Sequence, residues 1–198
     1  KSASCNSITS MAEIIIDFLK KKQIEKFYLL GHSMGGMIVQ EIVKIYGNKI
    51  SKLICYATGP IGEMPNRFES LDESRKKLKK EGLKLTVNRI AKTWFVSKEK
   101  SKYFYLCSNA GKTTNVEAAD NALIAMKNWS GLKNLKKIKN KTLIIWGDHD
   151  QSYNFDQIDT LNKNIQNSEL QIFRGCSHNA HLEKPDKFNV CLKNFLDK

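Results

Sequence analysis

The run FYLLGHSMGG, residues 27–36, carries the strongest fold signal in this chain. Its first four residues are apolar and typical of a buried strand, and the apolar residues of 37–46 recur at the spacing of a helix. Only a short, glycine-rich turn separates the two segments. The run therefore predicts a strand that passes through a tight turn directly into a helix, which is the connection that α/β layer folds use.

Ser33 lies at the apex of this turn and is the candidate nucleophile. A G-x-S-x-G turn between strand and helix holds its serine in a strained, left-handed backbone and lifts the hydroxyl clear of the sheet. Gly31 and Gly35 lie two residues on either side of Ser33, where we expect a Cβ atom to collide as the strand folds onto the helix. The backbone N–H of Met34, at the start of the helix, is the candidate oxyanion donor.

A serine nucleophile needs a histidine base, and the base needs a carboxylate that holds its tautomer. The run TLIIWGDHD, residues 142–150, predicts a buried strand followed by two acids, Asp148 and Asp150. Open α/β sheets build their sites at the carboxyl ends of their strands. Both acids are therefore candidates for the partner of the base.

The candidate bases follow a second short strand, residues 170–173. Its loop SHNAHLEKP, residues 177–185, contains His178 and His181 and precedes a helix that begins with proline. The other two histidines are weaker candidates, because His32 lies inside the turn beside Ser33 and His149 is expected to be a solvated loop side chain. The order along the chain is therefore serine, aspartate, histidine.

With these three runs, the chain resembles the α/β-hydrolase superfamily from Ser10 to its C-terminus. The resemblance implies an α/β fold with a mostly parallel sheet, helices on both faces and a nucleophile elbow at Ser33. It gives the acid role to Asp150 and leaves Asp148 as a capping or solvated loop residue. It gives the base role to His178, with His181 in reserve. Such a triad needs neither a metal nor an organic cofactor.

Residues 61–140 interrupt the alternation of strands and helices. The resemblance implies that they form a helical cap between two parts of the hydrolase core, residues 1–60 and 141–198. Aromatic and apolar residues of the cap are candidates for the roof of an apolar acyl or alcohol pocket. They can equally hold the cap helices together. The candidates are Trp94, Phe95, Tyr103, Phe104, Met126 and Trp129.

The N-terminal part of the family fold is expected to be missing. A capping box at Ser10 to Glu13 predicts the start of a helix, whose apolar face would contain Met11, Ile14, Ile15, Phe18 and Leu19. The family sheet has further strands before the elbow and a loop with a second oxyanion donor. We therefore expect an N-terminally truncated fragment whose first strand has an exposed edge. A homo-oligomer that covers this edge is one hypothesis.

Composition limits the partners. The net charge of +13 is spread through every segment without a basic patch, which argues against nucleic-acid binding but favours anionic substrates. No apolar run is long enough to predict a membrane span. The five cysteines are odd in number and lack C-x-x-C spacing, which predicts free thiols and a cytoplasmic location.

The sequence thus predicts an enzyme that hydrolyses a carboxylic ester, a lactone or a related carbonyl in a small molecule. Carboxylesterase, enol-lactonase, carbon–carbon bond hydrolase and cofactor-free perhydrolase all remain open, because the resemblance implies that they share the triad and differ in the pocket. Two alternatives outside hydrolysis remain open as well. The histidine loop is also similar to that of a menaquinone-pathway lyase, which would make the reaction non-hydrolytic. The expected truncation leaves room for an inactive fragment that acts as a binding module.

Overall fold

The computed structural model describes residues 5–198, which form one sheet with helices on both faces. No helix among these residues is long and apolar enough to cross a membrane. The strands are β1 (Phe27–His32), β2 (Ile50–Tyr56), β3 (Lys141–Gly147) and β4 (Ser168–Phe173). The helices are α1 (Ile8–Lys21), α2 (Met34–Tyr46), α3 (Leu71–Lys92), α4 (Phe104–Gly111), α5 (Val116–Lys127), α6 (Phe155–Asn164), α7 (Ala180–Glu183) and α8 (Pro185–Asp197).

The four strands are parallel and lie in the order β1, β2, β3, β4, so that β1 forms one edge of the sheet. The central strands β2 and β3 are apolar along most of their length and largely buried. Such continuous apolar runs are typical of parallel strands that are covered on both faces. The predicted α/β fold with a parallel sheet is confirmed.

Side chains that alternate along β2 contribute to two separate core clusters, because successive residues of a strand point to opposite faces. Leu53 and Cys55 pack with the apolar residues of α1, α2 and α6. Ile54 and Tyr56 pack with Phe173 and the apolar face of α8. Each face of the sheet therefore has its own helical layer.

The first helix begins one turn earlier than predicted. Ser7 is its N-cap, and the Ser7 hydroxyl accepts a hydrogen bond from the Ser10 backbone N–H at 3.0 Å. The predicted capping box at Ser10 is therefore wrong, because Ser10 itself serves as the third helical residue of the Ser7 box. The buried face is also rotated from the predicted one, since Ile14 and Phe18 are 40% and 54% exposed.

The inserted helical segment, residues 61–140, connects β2 to β3 and contains α3, α4 and α5. Helix α3 packs against both α4 and α5. It is kinked at Gly82, whose φ of 77° lies in the left-handed region that favours glycine. The kink divides α3 into two parts that follow different directions over the core.

The turn between β1 and α2 leaves no room for a Cβ atom at two glycines, Gly31 and Gly36. The sequence predicts this constraint at Gly31 but not at Gly36. A Cβ atom on Gly31 would lie 2.2 Å from the Gly35 carbonyl oxygen, as predicted. The prediction for Gly35 is wrong, since a Cβ atom there would meet nothing within 4 Å. Gly36 is the second constrained position, because its Cβ atom would lie 2.3 Å from the Thr58 Cγ2 atom.

This contrast generates a matched pair of substitutions. We expect Gly31→Ala to lower the free energy of unfolding by at least about 2 kcal/mol, because the new methyl group meets backbone atoms that cannot rotate away. Gly35→Ala should change it by less than about 1 kcal/mol, since the site is open and helical. Urea denaturation followed by circular dichroism measures both values, and equal losses would contradict the steric account.

Candidate active site

Ser33 lies in the backbone conformation that the sequence predicts for it. Its φ of 56° and ψ of −121° place it in the left-handed half of conformational space. The Ser33 backbone N–H donates to the Tyr56 carbonyl oxygen at 2.9 Å, which ties the turn to the end of β2. A strained residue persists only where its surroundings fix it, and such residues cluster at functional sites.

Asp150 and His178 form a buried pair. The Oδ2 atom of Asp150 lies 2.8 Å from Nδ1 of His178, and the two side chains are 0% and 1% exposed. The other oxygen of Asp150 accepts hydrogen bonds from the backbone N–H groups of Ser152 and Tyr153, at 2.7 and 3.3 Å. With Nδ1 donating to the carboxylate, Nε2 is left as the basic nitrogen of the ring.

Ser33 and His178 line the same cavity, so the structure brings all three candidate residues together. Within residues 5–198, the Ser33 hydroxyl makes no hydrogen bond to the His178 ring. Bonds between a nucleophile and its base are often long without substrate and shorten when substrate binds. Met34, the candidate oxyanion donor, is the first residue of α2 and also lines this cavity.

Asp148 and His181, the alternative acid and base, have other hydrogen-bond partners. Asp148 accepts a hydrogen bond from the Gly175 backbone N–H at 2.7 Å and lies 3.5 Å from the Arg174 guanidinium, so it clamps two loops together. The Nδ1 atom of His181 lies 2.9 Å from the Tyr56 hydroxyl. His178 is thus the histidine that a buried carboxylate orients.

A hydrogen-bonded clamp holds the backbone of His178. The His178 carbonyl oxygen accepts from the Tyr56 hydroxyl at 3.0 Å and from Nε2 of His32 at 3.1 Å. Since a carbonyl oxygen only accepts, this contact assigns the proton of His32 to Nε2. Tyr56 is not among the residues predicted from the sequence, although a polar aromatic residue at the carboxyl end of a buried strand is a signal for it.

The rings of His32, His178 and His181 form a cluster that favours the neutral state of His32 and His181. The His32 ring stacks on Tyr56 at 4.4 Å and lies 4.6 Å from the His178 ring. Burial, followed by the charges of His178 and His181, holds the pKa of His32 well below its ordinary value. Burial, followed by the charge of His178, lowers the pKa of His181 in the same way. Both rings are therefore neutral near pH 7.

Tyr153 is a second residue of the site that is not predicted from the sequence. Its side chain is 1% exposed, and its ring lies parallel to the His178 ring with centroids 5.8 Å apart. Its hydroxyl lies near the hydroxyls of Ser33 and Thr58, whose interactions oppose the effect of burial on its pKa, but it makes no well-aligned hydrogen bond within residues 5–198. Burial raises the pKa of the Tyr153 phenol, so the group is a protonated donor.

A cavity of about 610 Å³ separates the elbow from the inserted helical segment. Trp94 and Met126 line it as predicted, but the other four predicted roof residues do not. Trp129 is buried and donates to Glu41 at 2.9 Å, and Phe95 packs against Phe104. The wall is nevertheless mainly apolar, and its aliphatic residues come chiefly from α3 and α5: Leu78, Leu83, Val87, Ile90, Ala119, Ala122 and Leu123.

Other chemistry-bearing groups do not form a metal centre in the described part of the chain. Residues 5–198 contain no cluster of three or more histidine, cysteine or acidic side chains that could hold a metal ion.

The cysteines near the site differ in exposure. Cys55 and Cys176 are buried, and burial raises the pKa of Cys55 to about 12. Cys107 lines the cavity and accepts a hydrogen bond from Asn179 at 3.3 Å.

The histidine cluster predicts a pH-dependent stability. Above pH 6.5 His32 is neutral in the folded and the unfolded chain, so its contribution to the free energy of unfolding is fully present. Below pH 6.5 the unfolded chain takes up a proton that the folded chain does not, and the free energy of unfolding falls until the folded pKa is reached. For half-buried His32 the slope should be less than about 1.4 kcal/mol per pH unit.

We expect His32→Gln to flatten this slope in urea denaturation between pH 7.5 and 5. His149→Gln is the control, because the His149 side chain is 58% exposed and lies outside the cluster. A wild-type slope in His32→Gln would show that other groups produce the pH dependence.

Comparison with known proteins places this geometry in context. The chain is 26% identical over 190 residues to 2-hydroxy-6-oxo-6-phenylhexa-2,4-dienoate hydrolase of Comamonas testosteroni, which covers 87% of this chain and 63% of that protein. It is 27% identical over 217 residues to monoacylglycerol lipase ABHD6 of Bos taurus, with coverage of 96% and 61%. The chain thus spans less than two thirds of the length of these relatives.

The fold is also that of solved structures. An esterase from Exiguobacterium antarcticum superimposes with a TM-score of 0.90 at 22% identity, covering 100% of this chain and 76% of the other. At that identity the likeness shows the fold alone. The model of the alpha/beta hydrolase fold family matches residues 1–185. The chain belongs to the alpha/beta hydrolase fold family.

Proposed function

We propose that this chain is a serine hydrolase that cleaves a carboxylic ester, a lactone or a related carbonyl compound. The observation that carries the proposal is the buried hydrogen bond between Asp150 and His178 at the wall of the cavity that Ser33 enters. The strained conformation of Ser33 supports it, because such strain concentrates at functional positions. The family relatives support it as well, since they are named hydrolase and lipase.

The reaction follows from the roles of the three side chains. The Ser33 oxygen attacks the substrate carbonyl carbon, and Nε2 of His178 takes the serine proton. The resulting oxyanion accepts from the Met34 backbone N–H at the start of α2. His178 then returns the proton to the leaving alcohol as its bond to carbon breaks. A water molecule, deprotonated by His178, releases the acyl group and restores Ser33.

The inserted helical segment is proposed to act as the cap of this site. Its helices α3 and α5 provide most of the aliphatic wall of the cavity, opposite the elbow. An apolar wall of this kind binds the hydrocarbon part of a small ester through burial of apolar surface. The proposed substrate is thus a small ester-like molecule with an apolar acyl or alcohol group.

Labelling by a fluorophosphonate probe tests the proposal directly, because the probe reacts with an activated serine. We expect labelling of the chain, no labelling of Ser33→Ala and loss of at least about 1000-fold in labelling rate for His178→Ala and Asp150→Asn. His181→Ala is the matched control for the histidine loop, since its ring contacts Tyr56 rather than a carboxylate.

The outcome separates the competing functions. Labelling that survives in His178→Ala but not in His181→Ala would move the base to the second histidine. A folded chain that the probe does not label would contradict hydrolysis by this polypeptide and favour a binding module. Hydrolysis of simple esters by the untreated chain, lost in Ser33→Ala, would separate a hydrolase from the lyase alternative.

A further inference from the structure

Arg67 is a charged side chain in the otherwise mainly apolar wall of the active-site cavity. Its Nη1 atom donates to the Glu69 carbonyl oxygen and to the Ser74 hydroxyl, the latter at 3.3 Å. Its Nε atom is buried and has no hydrogen-bond partner. Within residues 5–198, no carboxylate forms an ion pair with Arg67.

The nearby acid is already neutralised by other cations. The Glu69 carboxylate lies 2.9 Å from Lys77 Nζ and also binds Arg89 and Ser74. Burial alone would raise its pKa, but the hydrogen bonds from these three side chains lower it to about 2. Arg67 therefore has no ion-pair partner of its own within residues 5–198, and the charges of Glu69 and Glu63 offset only part of the cost of its burial. A poorly solvated cation next to the cavity gains most from an anionic partner.

The loop that carries Arg67 is docked onto the loop that carries Asp150. The Phe68 backbone N–H donates to the Gln151 carbonyl oxygen at 3.0 Å, and the Asn154 side chain donates to the Pro65 carbonyl oxygen at 3.4 Å. The Arg67 guanidinium lies 4.2 Å from the centre of the Phe68 ring. These contacts fix the position of the cation before any ligand binds.

The docking brings Arg67 to the same side of the cavity as Tyr153. Arg67 and Tyr153 both line the cavity. Burial lowers the pKa of Arg67. The Tyr153 hydroxyl is a buried donor that lies near the hydroxyls of Ser33 and Thr58 but makes no well-aligned hydrogen bond within residues 5–198. Buried donors without partners are rare in native structures and call for an explanation.

We propose that Arg67 and Tyr153 form a subsite that binds a carboxylate of the substrate, so that the enzyme prefers esters whose acyl part carries a second, anionic end. This inference rests on the proposed hydrolase function and adds the class of substrate. The carboxylate pairs with the Arg67 guanidinium, and the Tyr153 side chain, which lines the same cavity, donates to it through its hydroxyl. The remaining hydrocarbon of the substrate contacts the apolar wall.

Pairs of methyl esters of equal chain length test the subsite: methyl butyrate against monomethyl succinate, and methyl valerate against monomethyl glutarate. The ratio of kcat/KM for the anionic over the neutral ester is measured by titrating the released acid. We expect a ratio above one, which falls about 10- to 100-fold in Arg67→Met and about three- to tenfold in Tyr153→Phe. Arg67→Lys should recover part of the loss.

Arg174→Met is the matched control, because Arg174 is 77% exposed and lies outside the cavity. Its ratio should equal that of the unaltered chain. Turnover of both esters with a ratio near one, or a ratio that Arg67→Met leaves unchanged, would overturn the subsite while leaving the hydrolase proposal intact.

If neither ester is turned over, calorimetric binding of succinate and glutarate to Ser33→Ala decides instead. Two double variants are compared, Ser33→Ala/Arg67→Met and Ser33→Ala/Arg174→Met. Binding that is lost in the first and kept in the second supports the subsite even though hydrolysis has failed. Absence of binding to Ser33→Ala overturns it.

Discussion

At Gly31, helix α2 approaches strand β1 so closely that no side chain fits between them, and the conformation of Ser33 follows from this contact. The strand passes into the helix at this contact, and Ser33 takes up the change of direction with a strained φ of 56°. The cost of this strain, on the order of 1 to 3 kcal/mol, is offset by the packing of α2 on the sheet. The same turn directs the start of α2 toward the cavity.

The position of the candidate base depends on a different set of interactions. His178 lies in a loop, yet its ring is held by Asp150 on one side and by the parallel ring of Tyr153 on the other. Its carbonyl oxygen is held by Tyr56 and His32. These partners come from the ends of β1, β2 and β3, so the sheet itself fixes the loop. A base that is held at both its ring and its backbone loses little entropy when it orients toward a substrate.

The parts of the site that could be predicted from the sequence are those whose signal is local. The turn at Ser33, the strand before Asp150 and the loop at His178 each consist of fewer than ten consecutive residues. The role of Gly36 was missed because its neighbour Thr58 is 22 positions away and only the folded sheet brings them together. Tyr56 and Tyr153 were missed for the same reason. The start of α1 was misplaced because Ser7 and Ser10 are both acceptable N-caps, and the burial of Ile8 favours the earlier one.

The aromatic residues of the inserted helical segment show why the shape of a pocket is harder to predict than its chemistry. The sequence offers no reason to distinguish Trp94 from Trp129. In the structure Trp129 Nε1 donates to the buried Glu41 carboxylate, and the Trp129 ring packs in the core. Trp94 remains at the cavity, near the His178 ring. The apolar wall is consequently made of aliphatic side chains, which impose little geometric selection on a substrate. The proposed specificity then depends on polar groups in that wall, of which Arg67, Ser152 and Tyr153 lie near the junction of the loops around Arg67 and Asp150.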